Sequence, residues 1–263
     1  MSTQPTAALF VTCLVDLFRP SAGFASAKLL EDAGFDVVVP SAQTCCGQPP
    51  YNNGDADSAR AIARDVIELL EPYEHVVIPS GSCGGMIKVH YPELFEGDAV
   101  WEPRALRLAE RCQELTQFLA DTCGLTDLPF AVPGKVAYHD SCSARRELDA
   151  VDAPRRLMGD KVELKPIADA EVCCGFGGTF CVKYPEVSAR MVDDKAHHIA
   201  ASGADILVSG DMGCLLNIGG RLSRNDCAIR VFHVAELLAD MTDGPGMGES
   251  VDRVPMQRTQ RTD

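Results

Sequence analysis

Two cysteines in immediate succession, followed by glycine, occur twice in this chain, at Cys45-Cys46-Gly47 and at Cys173-Cys174-Gly175. Each pair stands between two further cysteines, Cys13 and Cys83 in the first half, Cys142 and Cys214 in the second. Between the first cysteine and the pair lie 31 residues in one half and 30 in the other, and between the pair and the last cysteine 36 and 39. Agreement at four positions implies a duplicated unit of about 130 residues. Neighbouring thiols strain the chelate of a single ion but reach two irons of one cluster, so the pattern points to iron-sulfur chemistry. The glycine after each pair lets the backbone turn sharply and brings N–H groups toward sulfur. Zinc, which accepts four thiolates without a redox role, is the main rival. Vicinal cysteines can also be small buried hydrophobes, a reading that two matching copies weaken.

The stretches between the cysteines alternate strand-like and helix-like patterns. Ala8 to Val11 is an apolar run ending at Cys13, Phe35 to Val39 precedes the first pair, and Val76 to Ile78 runs into P-S-G-S-C-G-G. Helical spacing fills Ser21 to Ala33 and Asp55 to Leu70 between them. The second half repeats the punctuation: Lys135 to Tyr138 ends in His139-Asp140-Ser141-Cys142, Val162 to Ile167 precedes the second pair, and Ile206 to Val208 leads to Cys214. Pro185 to Ala201 reads as a helix and Ile229 to Phe232 as a last strand. Strand, helix, strand with short connections is the pattern of a parallel sheet wound by helices. The expected fold is therefore α/β, with two pseudo-repeated lobes, each a small parallel sheet flanked by helices. The cysteines then collect at the strand carboxyl ends, the edge where such sheets bind ligands. The expected boundaries are a flexible tail at 1–6, a first lobe at 7–127, a linker at 128–134, a second lobe at 135–240 and a flexible tail at 241–263. A single long helix is expected from Pro103 to Asp121.

The formal net charge of -14 over 263 residues argues against nucleic acid or anionic lipid as a partner. No run is long enough to span a membrane, and Met1 to Ala8 lacks the basic and apolar regions of a signal peptide, so a cytoplasmic location is expected. There the 12 cysteines are better read as thiolate ligands than as disulfides.

The remaining candidates are weaker. Cys181 follows the second pair by seven residues and is an uncorroborated extension of the motif. Cys112 and Cys123 have no partner at ligand spacing and are read as structural. His139 and Asp140 could hydrogen-bond a thiolate or pass a proton, although outer-shell or turn roles are more usual. His90, His197, His198 and His233 show no ligand spacing. Gly175, Gly177 and Gly178 begin like a dinucleotide fingerprint, but Phe180 stands where its last glycine should be, which argues against flavin or nicotinamide. Nothing resembles a nucleophile–base arrangement for hydrolysis.

The segments T-C-C-G-Q-P, P-S-G-S-C-G-G-M, Y-H-D-S-C, C-C-G-F-G-G-T-F and D-M-G-C-L-L-N-I-G-G resemble the signatures of the cysteine-rich CCG-domain family. That family includes the cysteine-rich component of heterodisulfide reductase, the glycolate oxidase iron-sulfur subunit and lactate utilization protein A. The likeness is nearest to the last and runs from Ala7 to about Asp240. Carried over by position, it implies Cys13, Cys45, Cys46 and Cys83 as one ligand set and Cys142, Cys173, Cys174 and Cys214 as the other. It implies one or two [4Fe-4S] clusters, with zinc possible in one lobe. The implied role is electron transfer, as a non-flavin subunit of a complex oxidising L-lactate to pyruvate. Two other lactate utilization subunits, one of ferredoxin type, are the implied partners, and through them the protein could sit at the membrane periphery. The heterodisulfide reductase component closes each motif with a fifth cysteine where this chain has Met86 and Asn217. Four thiolates suit an ordinary cube better than the open cluster that cleaves disulfides. Reduction of a disulfide or quinone at the cluster, and a zinc-stabilised assembly scaffold, stand as the alternatives.

Overall fold

A computed structural model describes residues 4–126, 128–132 and 134–249. In chain order the first half comprises β1 (Thr6–Leu9), α1 (Cys13–Phe18), α2 (Pro20–Asp32), β2 (Asp36–Val38), α3 (Gln48–Asn52), α4 (Ala56–Leu70), β3 (His75–Ile78), α5 (Gly81–Gly85), α6 (Tyr91–Leu94), α7 (Trp101–Arg111), β4 (Cys112–Glu114) and α8 (Leu115–Gln117). Wide-turn segments follow α5 at Met86–His90 and α8 at Phe118–Thr122. The second half comprises β5 (Lys135–Tyr138), α9 (Cys142–Arg146), α10 (Asp152–Met158), β6 (Glu163–Lys165), α11 (Phe180–Lys183), α12 (Pro185–Ala201), β7 (Ile206–Ser209), α13 (Met212–Arg224), β8 (Arg230–His233) and α14 (Val234–Leu238).

Each half forms a four-stranded sheet, ordered β2-β1-β3-β4 in one and β6-β5-β7-β8 in the other. All pairings are parallel, with Ala7 opposite both Val37 and His75, and Val136 opposite both Leu164 and Ile206. The central strands are continuous apolar runs because helices cover both faces: Ala7, Ala8 and Leu9, like Val76, Val77 and Ile78, are wholly buried. The fold is thus α/β with two repeated parallel sheets, as the cysteine punctuation implies.

One element departs from the sequence expectation. The stretch from Pro103 to Asp121 is not one helix, because Cys112–Glu114 pairs with β3 (Val76↔Cys112, Ile78↔Glu114). The edge of β3 offers unpaired backbone groups, and satisfying them outweighs the helical preference of this segment, which carries no glycine or proline near Cys112 to announce the break. Cys112 therefore lies on a strand, buried, and burial pushes its thiol up to about 12.

The halves are not separately packed. One core cluster joins Leu9, Leu29 and Leu30 of the first half to Phe232, Leu237 and Leu238 of the second. α2 packs on α14, while the matching pair with the halves exchanged, α10 on α8, makes the reciprocal contact. The connection at 128–134 adds Leu128 and Phe130 to this core. Residues 241–249, the start of the expected tail, make contacts with the body of the molecule. Met247 N donates to Val231 O at 2.8 Å, Arg19 Nη1 donates to Pro245 O at 2.8 Å, and Arg230 Nε lies 3.5 Å from Glu249 Oε1. Glycine-rich chain can be held in this way by backbone bonds that need no apolar side chain. Of the two expected tails, 1–3 and 250–263 lie outside the described residues, and Thr6 opens β1. Among the described residues no helix is long and apolar enough to cross a membrane.

Candidate metal centre

Each thiol set assembles from three strand ends. Cys13 opens α1 just after β1, the pair Cys45-Cys46 lies in the loop after β2, and Cys83 sits in the first turn of α5 after β3. The second set repeats this with Cys142 on α9, Cys173-Cys174 after β6, and Cys214 in the first turn of α13. The turns after the pairs need glycine: Gly47 and Gly175 hold φ +84 and +83, a region costly for other residues. The geometry aims Gly47 N at Cys45 Sγ (3.4 Å) and Gly175 N at Cys173 Sγ (3.3 Å).

The helices that present the last cysteine of each set are capped from within the site. Ser80 Oγ accepts from Cys83 N (3.3 Å), and Asp211 Oδ1 accepts from Gly213 N and Cys214 N (3.2 and 3.4 Å). Such caps satisfy orphan N–H groups. The motif G-S-C-G-G has a packing cause, since its glycines let α9 approach closely. A Cβ on Gly81 would meet Ser141 Oγ at 2.6 Å, and one on Gly84 would meet Leu148 at 3.0 Å.

Within each set the thiols touch in sequence. Cys13 pairs with Cys45, Cys45 with Cys46 and Cys46 with Cys83; Cys142 pairs with Cys173, Cys173 with Cys174 and Cys174 with Cys214. These contacts hold the Cys45 thiol down to about 3 and that of Cys173 down to about 2. The same contacts, with burial, drive Cys13, Cys46, Cys142 and Cys174 well above the ordinary thiol range. Four crowded thiols, one of them strongly acidified by its neighbours, form a donor set short of positive charge. A cationic centre that deprotonates all four thiols fits this chemistry.

The second set carries an extra donor. His139 is 2% exposed, and its ligand nitrogen lies within 4.8 Å of the Cys174 and Cys214 sulfurs. Both its ring nitrogens lack a protein partner, and burial lowers it to about 4. Counting back from the first cysteine of each set, the corresponding residue of the first half is Phe10. Asp140 turns away from the thiols into a bidentate pair with Arg155 at 2.9 and 2.8 Å. Cys181 stays outside the contact chain, its Sγ donating to Gly178 O at 3.4 Å. His233 caps α14 and contacts Pro79 O at 3.2 Å, while His198 lies 3.7 Å from Asp169. Cys123 packs on the shared core.

The two sets face a common cleft. A cavity of about 190 Å³ opens on Cys13, Cys45, Cys46 and Cys83, and another of about 200 Å³ on Cys142, Cys173, Cys174 and Cys214. Gln48, Ser82, Phe176 and Gly178 line both, so the Phe176 ring stands between the sets. Sequence reading gave Phe176 no role. Its position inside C-C-G-F-G-G is the one signal that it belongs to the site.

The profile of the family described as "Cysteine-rich domain" matches residues 7–88 and 136–219, the two segments that carry the thiol sets. The chain is 48% identical over 239 residues to lactate utilization protein A of an Exiguobacterium species, covering 89% of this chain and 97% of that one. It is likewise 48% identical over 232 residues to lactate utilization protein A of Geobacillus kaustophilus, covering 88% and 97%. Against lactate utilization protein A 2 of Bacillus cereus the identity is 42% over 233 residues, with 88% and 96% covered. With both repeats matched and the likeness running nearly end to end, the chain belongs to the cysteine-rich CCG-domain family and, within it, to that of lactate utilization protein A.

Proposed function

We propose that this protein is an iron-sulfur electron-transfer subunit of a cytoplasmic complex that oxidises L-lactate to pyruvate. The observation that carries the reading is the twofold gathering of four thiols, paired in series, at the carboxyl edge of a parallel sheet, in a chain whose relatives are named for lactate utilization. Cys13, Cys45, Cys46 and Cys83 would hold one cluster and Cys142, Cys173, Cys174 and Cys214 the other. A [4Fe-4S] cluster, when bound, stores and passes single electrons. The chain's own groups do the rest. Gly47 N and Gly175 N donate to sulfur, which favours the more negative state, and the buried Met86 and Tyr91 pack in the core that holds Cys46 and Cys83. The partners are two further lactate utilization subunits, one of ferredoxin type.

A second reading is zinc in the second half, favoured by His139 beside Cys174 and Cys214, a mixed donor set that zinc accepts. Anaerobic purification followed by iron, sulfide and zinc determination separates the two. Iron and sulfide in both sets are expected, and zinc at full occupancy without iron defeats the cluster reading. Cys46→Ser and Cys174→Ser, each scored for bound iron, assign the sets independently; iron retained in both variants would show the ligands to be wrong. Loss of growth on L-lactate after gene deletion is the expected physiological result.

A further inference from the structure

The second cavity holds titratable groups that the proposed function does not use. Glu147, at the end of α9, points one carboxylate oxygen toward His90 of the first half, with Oε1 3.5 Å from Nε2. Its other oxygen, Oε2, is buried and has no hydrogen-bond partner. His90 Nδ1 lies 2.8 Å from Glu93 Oε2, and the Tyr51 hydroxyl lies 3.1 Å from that nitrogen and 3.3 Å from that oxygen. Tyr51 stacks on the imidazole with ring centroids 4.6 Å apart, which fixes its plane. The Glu93 side chain is 58% exposed, His90 20% and Glu147 28%. The series therefore runs from solvent, through a half-buried imidazole, to the Glu147 carboxylate, which lines the cavity that Cys142 and Cys173 also line.

Among the described residues the first set has no such series, although the exposed Asp16 lines a further cavity that Cys13 and Cys45 share. Five residues after Cys13, at the position matching Glu147, stands Phe18, which is 60% exposed. The ionisable groups on the first cavity are its own thiols.

We propose that Glu93, His90 and Glu147 form a proton path from solvent to the second cysteine set, so that reduction there is coupled to proton uptake; this rests on reading that set as a redox cluster. One electron arriving from a one-electron donor, such as a reduced ferredoxin-type protein, adds one negative charge beside the cavity. One proton moves from His90 Nε2 to the Glu147 carboxylate and balances it. His90 regains a proton at Nδ1 from water by way of Glu93. Only O–H and N–H bonds change, and the imidazole takes its proton on one nitrogen and gives it from the other. Tyr51, Glu93 and Glu147 face His90, and Asp211 with the second set's thiols completes the ionisable lining of the cavity.

The test is a potentiometric titration of the anaerobic iron-loaded protein, followed by electron paramagnetic resonance, from about pH 6 to about pH 9. One proton per electron sets a limit of about 59 mV per pH unit, and the wild-type second centre should approach it while the first stays flat. Glu147→Gln, nearly isosteric and partly exposed, should abolish the slope with iron content unchanged. His90→Gln should do the same. A slope retained in both variants, or a flat wild-type second centre that carries iron, overturns the path and leaves the cluster reading standing. A wild-type protein that binds no iron overturns both.

Discussion

Asp211 reaches across the boundary between the repeats: its Oδ2 accepts from Ser82 N at 2.8 Å while its Oδ1 caps Gly213 N and Cys214 N. One buried carboxylate thus holds the turn that carries Cys83 and the helix that carries Cys214. Asp211→Ala leaves three backbone donors without their acceptor. The expected loss is about 2 to 4 kcal/mol, the sum of a lost cap and a lost charged hydrogen bond in a buried site. Urea denaturation of the metal-free protein measures it, and iron content should fall in both sets rather than in the second alone.

The close approach of α5 and α9 makes an unequal pair of glycine substitutions. Gly81→Ala places a Cβ against Ser141 Oγ, Ala144 Cβ and Ala144 N, at 2.6, 2.9 and 3.1 Å. Since one of these is backbone of the opposing helix, the repeats must move apart, at a cost of about 1 to 3 kcal/mol. Gly220→Ala, within α13, meets only the Arg224 guanidinium at 3.3 Å. That side chain can shift, so the better helix former should gain up to about 1 kcal/mol. Thermal melts of the two variants should therefore move in opposite directions.

Backbone strain precedes Cys13 but not its counterpart Cys142. Thr12, the residue before Cys13, holds φ +76 and is buried, which is costly for a β-branched side chain. Its counterpart Ser141 holds φ -69 and caps α9 through its hydroxyl. Thr12→Gly should raise the stability of the metal-free chain by about 1 kcal/mol, a gain visible as a higher melting temperature. The same change lets Cys13 wander from Cys45, so iron bound at the first set should fall.

What could be read from the chain itself was what recurs. Cys13, Cys83, Cys142 and Cys214 each follow a short apolar run, and a parallel sheet converts that adjacency into convergence at one edge. β4 was hidden because Cys112–Glu114 becomes a strand only by pairing with β3, a tertiary contact with no local signal. The His90–Glu147 contact was hidden for a similar reason. The spacing of His90 and Glu93 suggests a helical pair, but that Glu147 completes it follows from α5 packing on α9. The burial of His139 beside Cys174 and Cys214 was half legible: its place in Y-H-D-S-C drew notice, and its unpartnered nitrogens required the fold. The shared core was not legible at all, since nothing in an apolar stripe says which helix will cover it.

Glu114 supplies a pH signature of the folded state. It is wholly buried, with Oε2 accepting from Thr116 N, the Thr116 hydroxyl and Gln117 N, and Oε1 unpartnered. Burial outweighs those bonds and raises the carboxyl to about 7 from an ordinary 4.5. The unfolded chain then gives up this proton near 4.5 and the folded chain near 7. Between those values the folded state holds more protons, so the contribution of Glu114 is fully present below 4.5 and declines as pH rises to about 7. Over that window the decline amounts to about 3 kcal/mol by linkage. His139, lowered to about 4 from 6.5 by burial, works in the opposite sense, which flattens the raw profile below about 6.5. The difference between wild type and Glu114→Gln isolates the carboxyl, because the amide oxygen still accepts from Thr116 and Gln117 but does not titrate. Urea midpoints measured on both proteins should show the variant gaining on wild type from about pH 5 to pH 7, and a constant difference across that window would show that Glu114 ionises normally.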